Sequence, residues 1–360
     1  MEMFTGAYGD NLQPEGAPDR NRSMQDALDV FMNGLTGADR TALERVSLAV
    51  VALEDNDTRA WAGHRHHEVH FSGSMVKVLA MYAAHTLRFF SRNLLLERQP
   101  ATPAMFFASL SSEFDGQIRT ATPTKIKAQH GSDDTKILPA YRTVLETQLD
   151  ATGKPVDVDF AQDYLTHLKG MLIQQQNAPA AACIHGVAFG FMNAKTADDG
   201  FFDRGTERGA WLAGDYLGQW TPVRIASTND GQVAQATTAV DMAKLVTRMF
   251  DGSLESGRPT DLIQMLAGDF RSWFHRELLW PDSGIAATHA KIGLGPLKPN
   301  SAGVVEQVVS EALKVHDSNR GVDFVVVWQN LKVPAAPTRA ELARVARMVE
   351  ATINGFQPTV

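Results

Sequence analysis

The chain has 360 residues, 44% of them hydrophobic and 21% charged, with a formal net charge of −7 at pH 7. That is the composition of a globular protein with ample chain for a core in one large or two smaller units. The acidic balance and the lack of a long Lys/Arg run argue against nucleic acid or an anionic membrane as the main partner, and the single cysteine, Cys183, excludes an internal disulfide.

Residues 1–22 form a polar tail rich in Gly, Pro and Asp, expected to be flexible. It has no apolar h-region and no span resembles a transmembrane helix, so a cytoplasmic location is expected unless a leader has been removed. Residues 23–44 read as an amphipathic helix with Leu28, Phe31, Met32 and Leu35 on one side and a break near Gly37. The run 46–53 is a buried strand, 54–57 a turn, and 58–71 a second strand or hairpin arm. A helix opens at Ser74, and from there to about residue 281 the patterns are mostly helical, with loops near 99–102, 120–134 and 151–156. Strand character returns at 287–294, 304–315 and 323–329. The chain closes with an amphipathic helix over 338–354, whose Thr338-Arg339-Ala340-Glu341 start reads as a capping box.

These elements predict an α/β (α+β) fold, an antiparallel sheet flanked by terminal helices with an inserted all-helical domain. The expected division is a tail (1–22), a sheet domain (23–73 and 285–360) and a helical domain (74–284), with a cleft at the junction.

Ser74 stands at that junction, and Lys77 lies three residues on, on the same helical face about one turn away. A serine hydroxyl is a poor nucleophile at neutral pH and needs a base. A lysine can serve if burial and nearby positive charge disfavour its ammonium form. The helix start adds N–H groups and the positive end of the dipole beside the same oxygen. Taken alone, the pair also fits an N-cap serine followed by a solvated lysine.

The order of features carries the pattern further. Strand, turn, strand, Ser74-Met75-Val76-Lys77 at a helix start, a helical insertion, Lys291-Ile292-Gly293 on a returning strand, two more strands and a final helix resemble the penicillin-recognising serine hydrolases, class A β-lactamases in particular. The resemblance spans roughly residues 40–355. It implies Ser74 as nucleophile, Lys77 as its base, Lys291 reaching into the cleft, and the N–H groups of Ser74 and Leu294 as an oxyanion hole beside Gly293. It also implies a small-molecule or peptide-like substrate and no cofactor. For the Ser-x-Asn element, Ser227-Thr228-Asn229 fits literally. Counting back from the helix after the family's omega loop, however, favours Gln175-Gln176-Asn177, with Gln175 in place of the serine and Asn177 on Lys77 and the substrate. Lys195-Thr196-Ala197 is a rival to the third element, but it lacks the glycine and leads into a turn.

Three positions depart from the family. Gln175 replaces the proton-shuttling serine, Thr221 stands where the deacylating glutamate is expected, and Ile292 replaces the hydroxyl residue that binds the β-lactam carboxylate. A threonine is no general base near pH 7. Asp230 or Glu207 are possible substitutes, without support from spacing. Two other functions stay open: a binding or regulatory protein that keeps the fold without turnover, and a metal-dependent protein. The latter would use His64, His66, Glu68 and His70, which share one face if that stretch is extended. Met75, Met81, Phe89 and Phe90 read as core, Cys183 as a buried hydrophobe, and Trp273, Phe274 and Trp280 as core or cleft wall.

Overall fold

The computed structural model describes residues 1–6, 12, 20–54, 59–251 and 284–357. Trp273, Phe274 and Trp280 lie outside the described residues, as do residues 55–57 of the expected turn and much of the N-terminal tail. In chain order the principal helices are α1 (Arg20–Gly34), α2 (Gly37–Leu43), α3 (Val78–Arg98), α4 (Pro103–Ala121), α5 (Thr124–His130), α6 (Gln162–Leu172), α7 (Asn177–Val187), α8 (Phe189–Asp198), α9 (Ala239–Asp251) and α10 (Arg339–Asn354).

Two segments far apart in sequence make one antiparallel sheet: β1 (Ser47–Ala52), β2 (Trp61–His64), β3 (Ile285–Pro296), β4 (Gln307–Asp317) and β5 (Val322–Val333), in the order β3-β4-β5-β1-β2. All six residues of β1 are buried because both sheet faces are covered, so its sequence is a continuous apolar run instead of an alternating one. On one face Leu48, Val50, Phe324, Val326 and Trp328 meet Met24 and Leu28 of α1 and Leu342, Val345 and Val349 of α10. On the other, Ala49, Val51, Val325 and Val327 join the core of Val76, Leu79, Met242 and Leu245. The helix α10 starts as its sequence requires: Thr338 Oγ1 accepts from the Glu341 N–H, and the Glu341 carboxylate accepts from the Thr338 N–H.

The fold class is the expected one, a mixed α/β molecule with an antiparallel sheet. The insertion is predominantly helical and also carries short strands. Strands Leu145–Leu149 and Pro155–Phe160 form a hairpin whose turn falls at the loop expected over 151–156. Period-two Asp157 and Asp159 pair with period-four Arg92 and Arg88 of α3, at 2.8 and 2.9 Å. A three-stranded ribbon of His70–Phe71, Gln235–Thr237 and Trp211–Leu212 leads into the Ser74 turn. The helix α3 is buried on nearly all sides over its first three turns, which explains its apolar sequence and the burial of Met81 and Phe90. No helix among the described residues is long and apolar enough to cross a membrane.

The stretch 58–71 is not one strand. β2 ends at His64, Arg65 takes φ +47°, and Glu68 N–H closes a turn onto Arg65 O. That turn removes the common histidine face. His64 meets the Glu44 carbonyl, His66 sits edge-on against Trp61, and His70 is fully buried against Ser47 Oγ at 2.8 Å. Among the described residues no group of three or more His, Cys, Asp or Glu is placed to hold a metal ion.

Candidate active site

Ser74 stands not in the helix proper but in a 3-10 turn, Gly73–Lys77, that feeds α3. The turn is tied down before the serine: Ser72 N–H donates to Gln235 O at 3.1 Å, Ser72 Oγ donates to His70 O at 2.9 Å, and Gln329 Nε2 of β5 donates to Ser72 Oγ at 3.3 Å. Gly73, Met75, Val76 and Lys77 are buried and Ser74 is half-buried, so the serine is the residue of the turn turned toward solvent.

On one side the turn meets β3, the edge strand of the main sheet, in backbone-to-backbone contact. A β-carbon on Gly293 would stand 2.0 Å from Ser72 O, and one on Gly73, at φ +53°, would stand 2.9 Å from Leu294 O and 3.1 Å from Leu294 N. Both positions therefore require glycine. Alternation along β3 puts Lys291 and Gly293 on the face of the turn and Ile292 and Leu294 on the other. Lys291 is buried, with Nζ 3.3 Å from Ile292 O. Ile292 is half-buried opposite Glu311 of β4, and Leu294 is 39% exposed.

On the opposite side stands the buried Lys77. Its Nζ donates to Asn177 Oδ1 at 2.9 Å, Gln175 O at 3.2 Å and Gln176 O at 3.4 Å. These acceptors come from the tight connection between α6 and α7, where Gln175 takes φ +56°, Gln176 N–H returns to Gly170 O, and Asn177 opens α7. The structure thus brings Gln175 and Asn177 onto Lys77 on one side of the Ser74 turn and Gly293 and Leu294 against Ser72 and Gly73 on the other. Gln175 contributes its carbonyl.

A third wall comes from the loop after Trp211–Leu212. Asp215 organises it, accepting from the N–H groups of Leu217 (3.2 Å), Gly218 (2.7 Å) and Trp220 (2.9 Å) and from His185 Nε2 (3.1 Å). Burial alone would raise the pKa of this carboxyl, but the His185 and backbone hydrogen bonds outweigh it and hold the group below its ordinary range. Trp220 stacks on His185 at 4.0 Å. The next residue after Asp215, Tyr216, takes φ +64°, donates its hydroxyl to Gly73 O at 3.0 Å and lays its ring 4.7 Å from Lys77 Nζ. Burial pushes the Tyr216 hydroxyl pKa well up.

Tyr216, not Thr221, is therefore the loop residue on the Ser74 turn. Thr221 directs its carbonyl to His130 Nε2 at 2.8 Å and to Gln129, and its side chain is exposed. No sequence pattern marked Tyr216. The signal available was only Gly214-Asp215 followed by Gly218, the residues of a tight loop.

The other readings resolve by position. Asn229 bridges strands, accepting from Phe71 N–H at 2.8 Å and donating to Asn330 Oδ1 at 3.1 Å, so Ser227-Thr228-Asn229 braces the ribbon. Lys195 is buried in α8 between Asp198 and Asp199. Glu207 pairs with Lys125, and Asp230 accepts from the Lys298 N–H.

No family model matches this sequence, and no curated protein matches it. Solved structures do match. The TLA-3 extended-spectrum β-lactamase is 12% identical over 93% of this chain and 98% of its own, with a TM-score of 0.50. The TLA-1 extended-spectrum β-lactamase is 12% identical over 94% of this chain and 99% of its own, also with a TM-score of 0.50. At that identity the likeness is one of fold, and the chain carries a β-lactamase-like fold.

Proposed function

We propose that this protein is a serine hydrolase or acyltransferase that forms an acyl-enzyme on Ser74. The observation that carries this reading is the environment of Lys77: a buried ammonium or amine three residues from a half-exposed serine, oriented by the Asn177 amide and two carbonyls. In this reading Lys77 gives up one of its three Nζ protons, and the hydrogen bond that proton makes, and in that neutral form takes the Ser74 proton as Oγ adds to an ester, amide or lactam carbonyl. The N–H groups of Ser74 and Leu294 receive the developing oxyanion, supported by the close approach of β3 to the turn at Gly73 and Gly293. Lys291, buried on the same strand face, adds positive charge beside the leaving group.

A second reading, capture without turnover, is favoured by one specific observation. Where a deacylating carboxylate was expected on the loop, the residue against Lys77 is Tyr216, with its hydroxyl already committed to Gly73 O and its deprotonation opposed by burial. One experiment separates the two: intact-mass spectrometry after incubation with a fluorophosphonate and, separately, a penicillin, with Ser74→Ala as control. A Ser74-dependent adduct is expected. Its decay over time marks a hydrolase and its persistence a trap, and no adduct from either reagent rejects the acyl-enzyme reading.

A further inference from the structure

Resting on the Ser74 acyl-enzyme reading, we infer that Tyr216 is a positioning residue that aims the Ser74 N–H of the oxyanion hole through the peptide unit that Ser74 shares with Gly73. The first observation is backbone conformation. Tyr216 takes φ +64°, a left-handed conformation that is costly for a residue with a bulky side chain. The loop holds it there: Asp215, the residue before, gathers the N–H groups of Leu217, Gly218 and Trp220 and the His185 ring nitrogen. A strained residue over-determined by its neighbours points to a use for its side chain. That side chain ends on the Gly73 carbonyl, to which the hydroxyl donates at 3.0 Å.

The second observation is what that carbonyl belongs to. Gly73 C=O and Ser74 N–H are the two ends of one planar trans peptide unit, so a bond that fixes the carbonyl fixes the direction of the N–H on the opposite side. The unit needs fixing. Gly73, at φ +53°, has no β-carbon to limit its rotation, and the 3-10 turn that it opens bonds with poorer geometry than an α-helix. The first bond of the turn runs from Met75 N–H to Ser72 O at 3.1 Å, so the Ser74 N–H stands before the ladder and outside it. A carbonyl oxygen has two lone pairs, and the phenol takes one of them from the side of the loop. By polarising the amide, the same bond makes the Ser74 N–H a stronger donor. The Tyr216 ring meanwhile lies 4.7 Å from Lys77 Nζ, so the hydroxyl and the ring have separate contacts that can be tested apart.

The test labels Ser74 with a fluorophosphonate, whose phosphoryl oxygen takes the oxyanion's place once fluoride has left, and follows the rate against reagent concentration and the phosphorus NMR resonance of the adduct. Tyr216→Phe keeps the ring and removes the hydroxyl alone. It is expected to lower the maximal labelling rate about tenfold, to leave the half-saturating concentration unchanged and to move the phosphorus resonance upfield as the phosphoryl oxygen loses hydrogen bonding. Tyr216→Gly suits φ +64° better than tyrosine, so the loop keeps its path. Added phenol is expected to restore the rate and the resonance of that variant, and toluene is not. Labelling of Tyr216→Phe with rate and resonance unchanged overturns the inference and leaves the acyl-enzyme reading in place. A slower rate with an unmoved resonance also overturns it, marking a role in stability alone. A Ser74 that the fluorophosphonate leaves unmodified overturns the inference, and if a penicillin leaves it unmodified too, the acyl-enzyme reading falls with it.

Discussion

The two sides of Ser74 are built by different means. Toward the sheet, the closest contact is backbone on backbone: Gly73 and Gly293 let β3 pass within touching distance of the turn, and Gln329 of β5 adds a hydrogen bond to Ser72 Oγ. Toward the helices and the loop, the contact is side chain on backbone and side chain on side chain, with Asn177, the Gln175 and Gln176 carbonyls and Tyr216 all converging on Lys77 or Gly73. The first side tolerates almost no change of size, and in the proposed acyl-enzyme reading it sets where an acyl carbonyl would lie. The second, which that reading makes responsible for the proton chemistry, tolerates change of size better than change of polarity.

The sharpest way to break this comparison is on the sheet side. Gly293→Ala places a methyl 2.0 Å from Ser72 O, and the strand or the turn must move. We expect a loss of about 3 kcal/mol or more in denaturant unfolding, together with loss of fluorophosphonate labelling. Unchanged unfolding and labelling would mean the close approach of β3 is not needed.

Acid separates the sides next. Burial, with help from Arg65 and Lys332, lowers the pKa of His70 behind the turn to about 4. The unfolded chain binds that proton near pH 6.5, so the stability due to a neutral His70 is complete above pH 6.5 and is lost as pH falls toward 4, a change of about 3 kcal/mol. Asp215, on the loop side, has a depressed folded pKa, so its contribution is present above the ordinary carboxylate range and is lost only below it. Chemical denaturation from pH 7 to 3 is expected to show both steps. His70→Gln should reduce the slope between 6.5 and 4, and Asp215→Asn should reduce the later one.

On the helical side, Asn177→Ala removes the amide acceptor from Lys77 Nζ and leaves the fold with little volume change at an exposed helix start. Losing a hydrogen bond to a charged or charge-forming group corresponds to about 2 kcal/mol, so labelling of Ser74 should slow by a factor of about thirty while unfolding changes little. The smallest effect is expected far from both sides: Thr338→Ala at the α10 capping box should cost about 1 kcal/mol and leave labelling untouched. A labelling defect there would show that the site depends on the whole sheet unit.

The parts of this architecture readable in the sequence are those set by local rules. The run 46–53 showed a strand covered on both faces, Thr338-Arg339-Ala340-Glu341 showed a helix start, and Gly37 marked the break between α1 and α2. The strands at 145–149 and 155–160 were legible too, in the alternation Val156, Val158, Phe160 beside a Thr152-Gly153 turn, although a helical reading of the whole insertion hid them.

What the sequence determined by itself was the set of elements, their order and the presence of Ser74, Lys77, Asn177 and Gly293, because periodicity, capping and glycine are local properties of a chain. Tertiary structure alone decided which of them meet. It bent 65–68 so that the histidines lost their common face and brought Tyr216 instead of Thr221 onto the turn, while the meeting of Asn177 with Lys77 is the one that counting back along the sequence favoured. The physical reason is that loop residues are placed by partners more than ninety positions away, through hydrogen bonds with no period of their own, such as those Lys77 makes to the Gln175–Asn177 connection and Tyr216 makes to Gly73.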